Sequence, residues 1–198
     1  MNLVLSPHPD DAEYSVSGTI FKSNDYWKIV TLSSGGDNDE TTSHSRLKES
    51  EEFWSDMGNV CHIGRNSKTI DEYREYELVA IIDELLDNVD TIYVPPLEDN
   101  HFEHRRVSEA ARAATRGKPI TLIEYYTPST RSTWVPNLFV DIDEYMYEKD
   151  YALHQYFQSQ NDRFYFREEN IEIFHEDYFC RLRGLDKVEK FRVEYQFK

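Results

Sequence analysis

The 198 residues suffice for one domain with a substantial core, and we expect residues 1–198 to form a single domain. With 38 acidic against 22 basic side chains, the formal net charge of −16 argues against non-specific binding to nucleic acid. The mean hydropathy is −0.73, no apolar run approaches the ~20 residues of a membrane span, and the first residues lack a signal-peptide pattern. Cys61 and Cys180 have no CxxC spacing, which predicts reduced thiols and a cytoplasmic protein.

Short apolar runs alternate with helical patterns through the first two-thirds of the chain. The apolar runs predict strands at 2–6, 27–33, 59–63, 91–94 and 120–126. The segments between them predict helices at 10–24, 45–58, 69–88 and 103–117. This alternation predicts an α/β fold: a mostly parallel, Rossmann-like sheet with helices on both faces.

The last third is less regular. Its patterns predict a strand at 138–142, helices at 144–157 and 168–183, and an edge strand at 191–197.

The first predicted strand leads directly into His8, Asp10 and Asp11, just before a helix. In α/β folds, ligands bind at the carboxyl ends of strands. Side chains at positions 8 and 11 can reach one ion, and imidazole with carboxylate is a good donor set for a first-row metal. Asp10 then lies beside the metal as a candidate general base. Taken alone, the two carboxylates are equally typical of a helix N-terminus, where they cap free N–H groups.

A second polar cluster, His101, Glu103 and His104, follows the predicted strand at 91–94 and also leads into a helix. His104 would complete a set of two histidines and one aspartate that leaves a coordination position open for water. His101 is a candidate to contact the substrate carbonyl or protonate the leaving amine, and Glu103 to orient an imidazole. An isolated pair of this kind would more simply be surface histidines. Two clusters at two such junctions of one sheet favour a shared site.

Together these motifs resemble the PIG-L/LmbE-like deacetylase superfamily. The family's first motif is His-Pro-Asp-Asp with a following acidic residue and a Gly-Thr, matched here by residues 8–11, Glu13 and residues 18–19. Its last metal-binding motif is typically His-Pro-Asp-His, matched by residues 101–104, with Phe102 and Glu103 as departures. The resemblance implies zinc, or another divalent first-row metal, bound by His8, Asp11 and His104. It also implies that Asp10 is the base and that His101 stabilises the oxyanion.

Several positions are candidates for substrate binding. A Gly-rich loop at 34–36 and the Arg46–Glu49 spacing fit the family pattern, in which the arginine binds substrate hydroxyls or the acyl end; an i, i+3 ion pair is the simpler alternative. The segments 37–43 and 127–136 carry no transferable motif and are expected to form the substrate mouth. The candidates for sugar contacts are Tyr125, Tyr126, Arg131 and Trp134.

The expected activity is removal of an N-acetyl group from an amino sugar, either a GlcNAc-type glycoside or a sugar nucleotide. The expected partner is this small substrate, with no membrane; the oligomeric state is left open. Two alternatives remain: a metal hydrolase of a different amide or an ester, and a non-catalytic sugar-binding module on the same scaffold. A Rossmann-type nucleotide site is disfavoured because no GxGxxG follows the first strand.

Overall fold

The computed structural model describes residues 1–35, 40–65 and 69–197, with the backbone alone at 40–43. The predicted Gly-rich loop is therefore described only as far as Gly35. The predicted mouth segment at 37–43 lies outside the described residues, except for the backbone from residue 40 onward.

One seven-stranded sheet contains strands from residue 2 to residue 195. The strands are β1 (Asn2–Ser6), β2 (Trp27–Thr31), β3 (Val60–Gly64), β4 (Thr91–Val94), β5 (Thr121–Tyr125), β6 (Leu138–Asp141) and β7 (Val188–Tyr195). Their spatial order is β3-β2-β1-β4-β5-β7-β6. The first five are mutually parallel, and β7 runs antiparallel to both β5 and β6. The prediction of a mostly parallel sheet is confirmed.

Helices cover both faces of this sheet. They are α1 (Asp11–Lys22), α2 (Glu40–Trp54), α3 (Glu75–Asp83), α4 (Phe102–Thr115), α5 (Met146–Tyr156), α6 (Glu168–Phe174) and α7 (Tyr178–Arg181). One core layer contains Leu78 of α3 and Val107 of α4, and the other contains Val16 of α1 and Leu153 of α5. Among the described residues, no helix combines the length and apolar character needed to cross a bilayer.

The connections place the two polar clusters side by side. β1 lies between β2 and β4, so the order of the parallel strands reverses at β1. The loops leaving β1 and β4 consequently diverge to opposite faces and leave a crevice at their carboxyl ends, which is where this class of sheet binds ligands.

The predicted helix at 69–88 is interrupted. A 3₁₀ turn at Ile70–Glu72 is followed by Tyr73 and Arg74 in extended conformations, and α3 begins only at Glu75. The Glu77 carboxylate accepts the Arg74 N–H at 2.9 Å, which caps the new helix in place of a continuous turn.

The predicted helix at 168–183 is also divided. Asp177 is extended, and its side chain accepts the N–H groups of Phe179 and Cys180, which starts α7 as a separate helix.

The prediction of an edge strand at 191–197 is wrong in position. β7 pairs with β5 on one side and β6 on the other, so β6 is the edge strand at that end of the sheet.

Candidate active site

Hydrogen bonds with the side chains of Ser6 and Asp11 hold the backbone of the turn after β1. Ser6 Oγ donates to the His8 carbonyl at 2.7 Å and accepts the Ala12 N–H at 3.1 Å, while the Asp11 carboxylate accepts the His8 N–H at 2.9 Å. Asp10, the last residue before α1, has φ 105° and ψ −30°. A positive φ is uncommon for a residue with a Cβ and persists only where surrounding contacts enforce it. The turn thus holds His8, Asp10 and Asp11 in one defined arrangement.

Ligand atoms from the two predicted clusters meet at one point. His8 Nδ1 lies 3.1 Å from Asp11 Oδ2, and His104 Nε2 lies 3.2 Å from the same oxygen. Donor atoms bound ~2.0–2.1 Å from a tetrahedral ion are roughly 3.3 Å apart, so this spacing fits one zinc-sized ion. The donor types, two imidazole nitrogens and a carboxylate oxygen, fit it as well.

The remaining nitrogen of each histidine is held by a buried carboxylate. Glu103 Oε2 lies 2.5 Å from His8 Nε2, and Asp99 Oδ2 lies 3.1 Å from His104 Nδ1. Such contacts fix the ring orientation and the tautomer, which directs His8 Nδ1 and His104 Nε2 towards Asp11. The predicted contact of Glu103 with an imidazole is therefore present.

Asp11 and His104 each favour the charged form of the other. Although burial opposes it, Asp11 and Asp99 raise the pKa of His104 to about 10. Burial likewise opposes ionisation of Asp11, yet His104 and His8 hold its pKa well below the usual range. The carboxylates that retain protons on the imidazoles would equally favour a divalent cation, whose binding would displace those protons.

His101 lies against both other imidazoles. Its ring centroid is 4.8 Å from that of His8 and 4.7 Å from that of His104, and one nitrogen from each of the three lies within 4.8 Å of the others. His101 is therefore near enough to approach the same ion. Burial and the neighbouring imidazoles lower its pKa, which favours a neutral ring that donates a hydrogen bond.

The candidate base, Asp10, is buried beside the candidate metal ligands His8 and Asp11. Arg46 Nη2 donates to Asp10 Oδ2 at 3.3 Å and to the Pro9 carbonyl at 3.0 Å, and Tyr165 donates to the same Asp10 oxygen at 3.4 Å. Burial raises the pKa of Asp10 to about 6, although the Arg46 guanidinium lowers it in part. A carboxyl group with a pKa near neutrality suits proton transfer in both directions.

These side chains open into a cleft of about 670 Å³, a volume that accommodates a small-molecule ligand. The lining includes His8, Asp10, Arg46, His101, Arg163 and Tyr165.

Other predicted substrate contacts lie elsewhere. Glu49 is outside the lining, and its carboxylate accepts the N–H and hydroxyl of Ser159 at 2.9 and 2.5 Å. Arg131 is exposed and outside the lining as well, with Nε donating to Asn100 Oδ1 at 3.3 Å.

Tyr125 requires a correction. It is fully buried in β5, and its hydroxyl donates to the Leu5 carbonyl at 2.8 Å, so it is a core residue rather than a substrate contact. Trp134 is also buried, donating from Nε1 to Glu124 at 2.7 Å. Tyr125 is inaccessible because β5 has neighbouring strands on both sides and lies under a packed core layer.

Sequence reasoning missed several residues of the site, among them Asp99, Arg163 and Tyr165. Asp99 is fully buried and also accepts hydrogen bonds from the hydroxyls of Thr127 and Ser129, at 2.5 and 2.6 Å. Its position two residues before His101 was a usable signal. Arg163 and Tyr165 reach the cleft from the C-terminal third, more than 150 residues after Asp10, and no local pattern marks them.

The fold is shared with several solved structures. The conserved protein TT1542 from Thermus thermophilus is 21% identical with a TM-score of 0.79, covering 100% of this chain and 95% of that one. The N,N'-diacetylchitobiose deacetylase from Pyrococcus horikoshii is 22% identical with a TM-score of 0.76, covering 97% and 82%. GalB, the 4-carboxy-2-hydroxymuconate hydratase from Pseudomonas putida, is 14% identical with a TM-score of 0.78, covering 100% and 97%. These likenesses concern the fold.

No curated protein matches the sequence. The family described as PIG-L, GlcNAc-PI de-N-acetylase, matches residues 3–115, which is more than half of the chain and includes both polar clusters. The chain belongs to the PIG-L family.

Proposed function

We propose that this protein is a metal-dependent N-deacetylase that releases acetate from an N-acetylated amino sugar. The observation that carries the proposal is the meeting of His8 Nδ1, Asp11 Oδ2 and His104 Nε2 at one edge of a cleft, with the Asp10 carboxylate beside them. Membership of the PIG-L family supports amide hydrolysis. The Pyrococcus horikoshii neighbour, a deacetylase of diacetylchitobiose, supports a sugar substrate.

His8, Asp11 and His104 would hold the metal, and zinc is the ion that best suits two imidazoles and one carboxylate. When bound, such an ion polarises the amide carbonyl and makes water a stronger acid.

Asp10 supplies the proton transfers. Its carboxylate takes a proton from the attacking water and returns one to the departing amine, both of which are favoured by a pKa of about 6. His101 lies beside the ligand cluster, where a neutral imidazole N–H can donate to the oxyanion that develops on the carbonyl oxygen. Arg46 and Tyr165 hold Asp10 Oδ2 and so limit rotation of the base.

The test combines metal analysis with acetate release from a panel of N-acetylated sugars, sugar nucleotides, simple amides and esters. The wild type should contain one metal per chain and release acetate from at least one sugar. Asp10→Asn should retain the metal and lose about 10²–10⁴-fold in kcat, the usual contribution of a general base. His104→Ala should lose the metal.

Turnover of an ester or a non-sugar amide alone would reassign the substrate. A metal-loaded wild type that acts on none of the panel would contradict the proposal. It would then favour a sugar-binding module or chemistry such as that of the hydratase neighbour.

A further inference from the structure

Glu13 is a fully buried carboxylate in the first turn of α1, outside the cleft lining. Its Oε2 accepts the backbone N–H of Asp10 at 3.1 Å. Its Oε1 accepts the indole N–H of Trp54 at 2.7 Å and the hydroxyl of Ser50. Glu13 therefore joins the turn that carries the candidate base to helix α2.

One face of α2 holds Asp10 both directly and through Glu13. Arg46, Ser50 and Trp54 are spaced by four residues and so lie on the same side of the helix. Arg46 holds the Asp10 carboxylate directly, whereas Ser50 and Trp54 hold Glu13, which holds the Asp10 N–H. The side chain and the backbone of Asp10 thus depend on separate contacts with one helix.

The backbone of Asp10 needs such support, because its φ of 105° is unfavourable for a residue other than glycine. If the contact to its N–H is lost, the turn can relax to a negative φ, which redirects the Asp10 side chain relative to the metal ligands. A misplacement of about 1 Å at a reacting group can cost about 10²-fold in rate.

We propose that Glu13, held by Ser50 and Trp54, is a positioning residue that maintains the strained conformation of Asp10. The inference rests on the proposed function in one respect, namely that Asp10 acts as the base. Glu13 contacts neither the cleft nor the atoms that would bind metal, so its effect is transmitted through the Asp10 backbone.

The hydrogen-bond donors around Glu13 explain why a carboxylate is needed at this position. Three donors converge on Glu13: the Asp10 N–H, the Trp54 N–H and the Ser50 hydroxyl. A glutamine offers one acceptor oxygen and would turn its NH₂ group towards an N–H donor. Glu13→Gln, although nearly isosteric, should therefore lose the hydrogen bond from one of the two N–H donors, Asp10 or Trp54.

The first arm of the test compares Glu13→Gln and Trp54→Phe with the wild type. Trp27→Phe is the matched control, since Trp27 is equally buried and its indole N–H has no partner within the described part of the chain. All assays are run at one pH. We expect kcat to fall about 100-fold for Glu13→Gln and about tenfold for Trp54→Phe. KM and metal content should stay unchanged, and Trp27→Phe should keep the wild-type kcat.

The second arm measures hydrogen exchange of the Asp10 amide by NMR, which does not depend on activity. Exchange should be at least tenfold faster in Glu13→Gln and Trp54→Phe and unchanged in Trp27→Phe. Unchanged exchange, or faster exchange with a wild-type kcat, would overturn the positioning role. If the wild type shows no hydrolase activity, the proposed function fails, and the exchange arm alone decides whether Glu13 holds Asp10.

Discussion

At the scale of single residues, the orientation of His104 depends on Asp99. This fully buried carboxylate lies 3.1 Å from His104 Nδ1 and accepts the backbone N–H of His101 at 2.7 Å. Removing the charge of such a partner typically costs 10–100-fold in metal affinity. We expect Asp99→Asn to weaken zinc binding by about that factor, measured by competition with a chromogenic chelator. Asp83→Asn, which removes a surface acid, should bind zinc like the wild type, and equal affinities in all three proteins would contradict the role of Asp99.

Gly35 lies too close to Arg46 to accommodate a side chain. Its φ is +79°, and a Cβ there would lie 2.2 Å from Arg46 Nη1. We expect Gly35→Ala to displace the Arg46 guanidinium from Asp10 and lower kcat about tenfold or more in an acetate-release assay.

Gly117→Ala is the control for that substitution. Gly117 has nearly the same φ, +77°, but a Cβ added there would meet no atom within 4 Å, so this variant shares the backbone cost without a clash. Gly117→Ala should lose stability through the backbone cost alone and should keep its activity. Equal activities in the two variants would show that the contact between Gly35 and Arg46 is unimportant.

The position of the candidate site could be predicted at this scale, because His8, Asp10 and Asp11 directly follow β1, a strand that a short apolar run indicates clearly. The burial of the aromatic side chains could not be predicted so well. Tyr125 is an aromatic residue of the kind that stacks on sugars, but the core layer that also contains Val16 and Leu153 packs over it and makes it a core residue. Arg163 and Tyr165 were missed because chain folding over long sequence separation brings them to the cleft.

At the scale of elements, the packing of α1 depends on close approach at Gly18. A Cβ on Gly18 would lie 2.9 Å from Ile142 Cγ2, and Ile142 is fully buried. Overpacking of this kind typically costs about 1–3 kcal/mol, of which better helix propensity returns up to about 1 kcal/mol. We expect Gly18→Ala to lower the free energy of unfolding, measured by chemical denaturation.

A double-mutant cycle isolates this contact. In an Ile142→Ala background the clash is absent, so Gly18→Ala should become neutral or stabilising there. Gly58→Ala, where a Cβ would meet nothing within 4 Å, should change stability by less than about 0.5 kcal/mol. An identical cost of Gly18→Ala in both backgrounds would refute the steric explanation.

The elements themselves were predictable to different degrees. β1 and β4 match the predicted 2–6 and 91–94, since an apolar run followed by proline ends each strand clearly. The breaks after residue 72 and after Phe174 were not predictable from apolar spacing, which continues through both. They arise from side-chain caps, the Glu77 carboxylate at Arg74 and Asp177 at α7.

At the scale of the whole molecule, stability should depend on pH through His175. This histidine is fully buried, with Nδ1 2.7 Å from the Ile171 carbonyl. Burial, with Lys149 and Lys190 nearby, holds its pKa well below the usual range. The unfolded chain therefore binds a proton below about pH 6.5 that the folded chain does not, so stability is lost as the pH falls.

The expected size of this effect is about 1.4 kcal/mol per pH unit. Between about pH 6 and 5, the free energy of unfolding of the wild type should fall more steeply than that of His175→Gln by this amount. Urea denaturation at a series of pH values measures the two slopes. Parallel slopes would mean that His175 accepts its proton in the folded state.

The alternation of strands and helices was sufficient to predict the parallel half of the sheet, because each βα unit is local in sequence. The antiparallel end was not predictable, since β7 inserts between β5 and β6 rather than following its neighbour in sequence. Strand pairing of this kind depends on contacts between distant segments, which periodicity does not record.

The late position of β7 has a consequence for biosynthesis. As the ribosome releases the chain, the parallel strands can assemble first, but β6 has no strand to join until residues 188–195 emerge. Until then β5 presents an open row of backbone donors and acceptors, the kind of surface on which nascent chains associate with one another. Slow translation or truncation upstream of β7 should therefore favour aggregation of the nascent polypeptide.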